Sequence, residues 1–337
     1  MDETIATVGE FELIRRFFAP LGGAVAAGMP VLTGIGDDAA VLAVPRTQHL
    51  LTTVDTLVEG VHFASTCDPF RVGCKALRVN LSDLAAMGAT PHWYLLSLAL
   101  PSATPVAWVE AFARGLQTTA EAFALTLIGG DTVGTPGGIV ITVTVLGLVG
   151  QGRAILRSGA QVGDVLFVSG TVGDAALGLA WSRGQLAGVA PEDASFLRDR
   201  LDLPEPRLAL GKMLQDAALA HAAIDLSDGL IADLGHLGVA SGIEARIDLE
   251  RVPLSDAARR VIDGREGEML PGLLAGGEDY ELAFAAPAGA RPAIMEIARR
   301  LALPITEIGT CAASKPGVVV SRGGAPMVID RGGWSHF

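Results

Sequence analysis

Aspartates recur in this 337-residue chain at strand ends and in glycine-rich loops. Asp37 and Asp38 stand in "GIGDDAAV", Asp55 in "TTVDTLVEGVHF", Asp131 in "LIGGDTVG", and Asp225 and Asp228 in "AIDLSDGL". Asp83, in "VNLSDLAAMGA", falls on a helix instead. Carboxylates in this arrangement suit a hard divalent cation. Mg2+ takes oxygen ligands and commonly binds one or two carboxylates plus substrate phosphates. The adjacent pair Asp37–Asp38 is the sharpest signal, because neighbouring carboxylates repel unless a cation or a donor offsets them. Each of the others, taken alone, has a plainer reading as a cap or turn residue. Asp228 stands just before "GLIADLGHL" and reads first as the cap of the following helix.

Other stretches carry two readings each. "GIGDDA" matches G-x-G-x-x-A, the dinucleotide fingerprint. That motif must open a helix, whereas "AAVLAVP" follows here and reads as a strand; two carboxylates would also repel a pyrophosphate. No G-x-x-x-x-G-K-[ST] occurs, since Gly211-Lys212 is followed by Met213. "GTVGDAALG" precedes a helix, where a phosphate could sit; close strand–helix packing explains its glycines equally well. Arg157, in "ILRSGA", is a fixed cation for a phosphate or for surface carboxylates. His62 lies a few residues past Asp55 and is open to a structural or a functional reading.

The elements that must position these residues alternate between helix and strand. "GEFELIRRFFAPL" has Phe11, Ile14 and Phe18 near helical spacing and predicts an amphipathic helix. "AAVLAVP" and "HLLTTVDTLV" predict strands. Asp68 as N-cap and Pro69 at the first helical position open a helix that Gly88 closes. Leu77, Leu81 and Leu84 stripe its buried face, leaving Asp83 on the other side with Asn80 one turn away. "WYLLSLALP", "LTLIGGDTV" and "GIVITVTVLGLV" are strands, and "PVAWVEAFARGLQTTAEAF" is a helix. Beyond Gly150 come a strand over Val165 to Ser169, an Ala-rich helix, the strand–loop–helix "AAIDLSDGLIADLGHLGVASG", the turn and strand "GGEDYELAFAAP", and a helix over Arg291 to Leu301. The expected fold class is α/β, with domains over residues 1–150 and 151–337.

Bulk composition narrows the partners. The formal net charge is −12 with no run of Lys and Arg, so nucleic acid and anionic membranes are not expected partners. The three cysteines form no CxxC pair, which fits a reducing cytoplasm and supports neither zinc nor a disulfide framework. The start "MDETIATVGEFELIRRFF" has no signal-peptide pattern, and the apolar run Ile139 to Val149 is too short for a membrane helix.

"GIGDDAAV", "TVDTLVEGVHF", "KALRVNLSDLAAMGA", "LIGGDT", "RSGAQVGD", "AIDLSDGLIADL", "GGEDYEL" and the terminal "GGWSHF" together resemble the thiamine-monophosphate kinase family. These motifs span nearly the whole chain in order. The resemblance implies the aminoimidazole-ribonucleotide-synthetase-like ATP-binding fold. In it an N-terminal mixed-sheet domain dimerises, a C-terminal α/β domain follows, and the active site lies in a cleft between them. It implies a homodimeric kinase of thiamine biosynthesis that transfers the γ-phosphate of ATP to thiamine phosphate, giving thiamine diphosphate and ADP, with several Mg2+ ions.

Carried over position by position, the resemblance makes Asp38, Thr53, Asp55, Asp83, Asp131, Asp225 and Asp228 the metal group. Gly130, Asp131, Arg157 and Ser227 match ATP positions, and His62 and Glu278 match positions that contact thiamine phosphate. Trp334 is the C-terminal aromatic expected to stack on the thiamine rings. Val54 departs from a threonine common in the family, which removes a side-chain contact there. Asp37 is expected to shape its loop or act through water. No general base is expected. The nucleophile is a phosphate-monoester oxygen, largely ionised at neutral pH because its second pKa is about 6.

Two alternatives stay open from sequence. One is another enzyme of the superfamily. A selenophosphate synthetase carries a reactive Cys in an N-terminal Gly-rich loop, and Cys67 is in none; a hydrogenase-maturation enzyme ends in a Cys, and this chain ends in "WSHF". The other is a non-enzymatic sensor of Mg2+ or nucleotide on the same scaffold.

Overall fold

The computed structural model describes residues 3–23, 31–327 and 333. The chain divides into two compact units, Met1–Leu84 with Ala89–Gly152, and Ala85–Gly88 with Arg153–Phe337.

The first unit opens on two short helices, α1 (Ile5–Val8) and α2 (Glu10–Leu13). The single amphipathic helix expected here is broken: a π-helical turn over Ile14–Phe18 follows α2, then a 3-10 turn over Ala19–Gly23. Phe18 is buried while Phe11 is exposed, so the widened turn takes Phe11 out of the predicted buried stripe. Strands β1 (Val31–Thr33) and β2 (Val41–Leu42) pair around the Asp37–Asp38 loop. "AAVLAVP" thus yields only two strand residues, yet no helix follows the GIGDDA loop, as the dinucleotide fingerprint would need.

β3 (Gln48–Val58) leads to helix α3 (Pro69–Ala86). The Asp68 carboxylate accepts the Phe70 N–H at 3.0 Å, as an N-cap should. β4 (Thr90–Leu100), α4 (Val106–Ala122), β5 (Thr126–Gly134) and β6 (Val140–Gly150) complete a four-stranded sheet of order β3-β6-β4-β5. β4 and β5 are parallel with α4 as their crossover; the other pairings are antiparallel. Period-2 alternation buries Ile141, Val143 and Val145 of β6 while Thr142 and Thr144 stay half-exposed.

Helices α3 and α4 cross at a reciprocal pair of glycines. A Cβ on Gly73 would stand 2.2 Å from the Phe112 carbonyl oxygen, and one on Gly115 would stand 2.0 Å from the Phe70 carbonyl oxygen. The two backbones touch there with no side chain between them. Leu77, Leu81 and Leu84 of α3 are fully buried, and Gly147 of β6 lies against Leu84.

The second unit is built on a seven-stranded sheet. Its elements are β7 (Val165–Ser169), α5 (Asp174–Ser182), α6 (Pro191–Asp202), α7 (Leu208–Asp216), β8 (Ala222–Asp225), α8 (Leu230–Ser241), β9 (Glu244–Asp248), α9 (Asp256–Ile262), α10 (Glu266–Leu274), β10 (Leu282–Ala286), α11 (Arg291–Leu301), β11 (Ile305–Ala312), β12 (Gly317–Arg322) and β13 (Ala325–Pro326). The strand order is β13-β12-β9-β11-β7-β10-β8. Among the described residues of this sheet, only β9 and β12 pair in parallel. β7 and β10 are buried along their whole length, which suits central strands covered on both faces. β8 is an edge strand, and it delivers Asp225 to the sheet rim.

Candidate functional site

The structure gathers the expected residues into three groups. The first joins β3 to α3. Thr53 and Asp55 share one face of β3 because they are two residues apart. The Thr53 hydroxyl donates to the Asp83 carboxylate on α3. Burial pushes the Asp55 carboxyl up to about 7, and the charge of Asp83 adds to the shift. Asn80 plays no part in this group. It is fully buried and its Nδ2 donates to the Ala76 carbonyl at 3.1 Å. Val54 points to the opposite face, where it is 59% exposed and pairs with Thr144 of β6.

His62 sits in the tight turn that ends β3. The Val58 N–H donates to its Nδ1 at 3.0 Å, so the neutral ring carries its proton on Nε2. The ring therefore offers a donor, the form an anionic ligand needs. Lys75 of α3 is 3% exposed and its Nζ donates to the His62 carbonyl at 3.3 Å, holding this turn from below.

The second group lines a cavity of about 1010 Å³ on the other face of the sheet. Asp37, Asp38, Gly130 and Asp131 form its polar rim, and Phe18, Ile35, Leu95 and Leu127 contribute apolar wall. Asp37 accepts the Asp38 backbone N–H at 2.9 Å, which turns the loop and leaves the Asp38 carboxylate exposed. Asp131 is exposed on β5, in register with Ser97 of β4.

The third group lies in the second unit, where β8 runs into α8. Asp225 is buried at the strand end, and Ser227 and Asp228 follow half-buried. Asp228 does not cap α8, contrary to its first reading. The N-cap position is Gly229, which has no side-chain oxygen, and Asp233 of the first turn reaches back instead. Its carboxylate accepts the N–H groups of Asp228 and Gly229, each at 3.1 Å. Burial pushes the Asp233 carboxyl up to about 7, Asp228 adds to the shift, and Arg157 is close enough to oppose it. This frees the Asp228 carboxylate from capping.

Glu278 is drawn to the same loop by the backbone. Its N–H donates to the Ser227 carbonyl at 2.8 Å, and the Tyr280 N–H donates to the Leu226 carbonyl at 2.9 Å. Glu278 has φ 71° and Tyr280 φ 51°, both in the left-handed region that non-glycine residues avoid. Two buried acids hold the strained turn. Asp279 accepts the N–H groups of Gly173 and Ala175, at 2.7 and 3.2 Å, at the start of α5. Glu281 accepts from Ser169 at 2.6 Å, Arg200 at 2.8 Å and Arg207 at 2.7 Å. Burial alone raises the Glu281 carboxyl, but Arg207 and Arg200 hold it below its usual range.

The α5 N-terminus is thus already filled by a carboxylate. A Cβ on Gly178 would meet the Leu197 carbonyl oxygen at 2.3 Å, so the glycine there serves helix packing. The packing at Gly178 of "GTVGDAALG" is thus of helix on helix, α5 on α6, and not the strand–helix packing expected. Trp334 lies outside the described residues.

Sequence reasoning missed Asp233, Asp279, Glu281, Arg200 and Arg207. A signal existed for Asp233: a glycine N-cap must borrow its acceptor, and the nearest acid is in the first turn.

The donor set suits Mg2+. Two carboxylates and a hydroxyl are hard oxygen ligands, and a cation would relieve the burial and repulsion that raise Asp55. Among the described residues, no three acidic, His or Cys side chains stand close enough to form a cage on their own. Such a site relies on substrate phosphates and water to complete it, as Mg2+ sites commonly do.

Comparison with known proteins agrees over the full length. Residues 36–149 match the N-terminal domain of the AIR synthase related protein family, and residues 161–321 match its C-terminal domain. The chain is 45% identical over 329 residues to the thiamine-monophosphate kinase of Salmonella typhimurium, covering 98% of each. The crystal structure of thiamine-monophosphate kinase from Stenotrophomonas maltophilia superposes with a TM-score of 0.82 at 43% identity, covering 95% of this chain and 98% of that one. A structure of AaThiL complexed with AMPPCP and TMP gives a TM-score of 0.75 at 34% identity, covering 98% of this chain and 97% of that one. With two-domain sequence matches and full-length identity of this order, the chain belongs to the thiamine-monophosphate kinase family.

Proposed function

We propose that this chain transfers the γ-phosphoryl group of ATP directly to the phosphate of thiamine phosphate, forming thiamine diphosphate and ADP with Mg2+ held by its acidic loops. The Thr53–Asp55–Asp83 group carries the reading: two carboxylates and a hydroxyl converge there. A base is not needed. The attacking oxygen belongs to a phosphate monoester whose second pKa is about 6. The barrier is the approach of two anions. Two unit charges 4 Å apart interact by about 4 kcal/mol at an effective dielectric of about 20.

Asp38, Thr53, Asp55, Asp83, Asp131, Asp225 and Asp228 are the residues that would hold several Mg2+ ions. When bound, Mg2+ neutralises phosphate charge and favours an in-line transfer. Gly130, Asp131, Ser227 and Arg157 take ATP, the guanidinium adding fixed positive charge on the polyphosphate. The His62 Nε2–H donates to the acceptor phosphate, a role supported by the Val58 bond to Nδ1. Glu278 offers a negative charge to the cationic thiazolium ring.

The working unit in this reading is a homodimer, with the open face of the four-stranded sheet as its contact. Leu50 and Val54 are exposed apolar residues on that face; sedimentation as a monomer at micromolar concentration would remove this part. The location is the cytoplasm. No described helix is long and apolar enough to cross a membrane, and none of the three cysteines forms a disulfide.

The test of the reaction is turnover. The purified chain with ATP, thiamine phosphate and Mg2+ is expected to yield thiamine diphosphate and ADP one for one. Binding of both ligands without product would overturn the kinase reading.

A further inference from the structure

Helix α8 holds an unexpected bond at its far end. Ser241 is its last residue. A serine in a helix commonly spends its hydroxyl on a carbonyl one turn back. Ser241 does not. Its Oγ accepts the Ala160 N–H at 3.2 Å and donates to the Arg157 carbonyl at 3.0 Å, both more than eighty residues away in sequence. The helix end has no need of that hydroxyl, because Gly242 closes it in the left-handed conformation with its own N–H on the Gly238 and Val239 carbonyls.

The loop that receives the bond carries Arg157. Leu156 is tied by its carbonyl to the Ala223 N–H of β8 at 3.0 Å. Gly159 has φ 123°, and a Cβ there would stand 2.6 Å from the His221 carbonyl oxygen. The loop is therefore pressed against the start of β8, and Ser241 closes its open side. Among the described residues the Arg157 guanidinium makes no hydrogen bond or ion pair, although its charge is felt at Asp233 in the first turn of α8. One helix thus carries the Asp228 loop at its N-terminus and fixes the arginine loop at its C-terminus.

We propose that Ser241 is a positioning residue for Arg157: its hydroxyl, donating to the Arg157 carbonyl and accepting from Ala160, sets the backbone from which the guanidinium reaches the ATP polyphosphate. The proposal rests on the reading of Arg157 as an ATP contact. A hydroxyl is the group that fits, since it gives and takes one hydrogen bond at a single atom. Misplacing a positioned group by about 1 Å can cost about 10²-fold, so loss of one of several anchors is a milder case.

The experiment compares Ser241→Ala, Ser241→Thr, Arg157→Ala and the Ser241→Ala/Arg157→Ala double variant in the full chain. The alanine variant is expected to raise KM for ATP about three- to tenfold, the scale of one net hydrogen bond. KM for thiamine phosphate should stay within about twofold, and Ser241→Thr should restore the ATP value, because it keeps the hydroxyl. In the Arg157→Ala background, Ser241→Ala should add nothing. An unchanged KM for ATP, an equal rise in both KM values, or an undiminished effect in that background overturns the proposal. If the parent chain makes no thiamine diphosphate, the kinase reading fails instead. Ser241 is then judged by equilibrium binding of ATP, where the alanine variant must still bind more weakly and the threonine variant must not.

Discussion

Replacing Asp83 with asparagine keeps the shape that meets Thr53 and removes a negative charge beside Asp55. Turnover is expected to fall by about 10²-fold or more, the scale on which single electrostatic groups act in transition states. The melting curve should stay close to that of the parent. Near-normal kcat at limiting Mg2+ would count against a metal role for this group. Residues of this kind were legible from type and spacing. Asp83 stood out because a helix with Leu77, Leu81 and Leu84 inside must turn its aspartate elsewhere. Its partner was not legible, since β3 lies thirty residues away and only the folded chain shows that Thr53, not Asn80, meets it. Asp228 was misread for a related reason. Position before a helix says that an acceptor is needed, not which of two nearby acids supplies it.

Elements were read best where pattern and end signals agreed. α3 has its Asp–Pro start and its leucine stripe, and the strands around it alternate cleanly. The N-terminal segment was read worst. Its spacing is helical, but the widened π turn shifts the angular positions on which the stripe depended. The glycine crossing of α3 and α4 could not be foreseen, because a glycine inside a helix carries no mark of the neighbour it admits. Gly115→Ala would force a Cβ to within 2.0 Å of the Phe70 carbonyl oxygen. Overpacking of this sort costs about 1–3 kcal/mol. The expected result is a melting temperature lower by several degrees, with a loss of kcat as α3 shifts Asp83. An unchanged melting temperature would show that the helices part without cost.

Across the whole molecule, buried carboxylates set how stability depends on pH. Burial pushes the Asp279 carboxyl up to about 7, against the help of two backbone donors and Arg200. Its folded value lies above the unfolded one, about 3.9. The stability it contributes is complete below that unfolded value and is lost as pH rises through about 7. Glu281 works in the other direction. Its folded value is depressed, so its contribution is present above the usual glutamate range and is lost as pH falls. The Mg2+-free chain should therefore be more resistant to urea at pH 5.5 than at pH 8, and Asp279→Asn should narrow that gap. An equal gap in the variant would place the effect elsewhere. The Gly73–Gly115 contact also bears on how such a chain can drift. In most cores, growth of one side chain can be answered by shrinkage of its neighbour. Here each helix already presents its smallest residue to the other's main chain. No second change can make room for a first. Variation at this crossing is open only to a descendant in which α3 and α4 stand further apart, and α3 is the helix that carries Asp83.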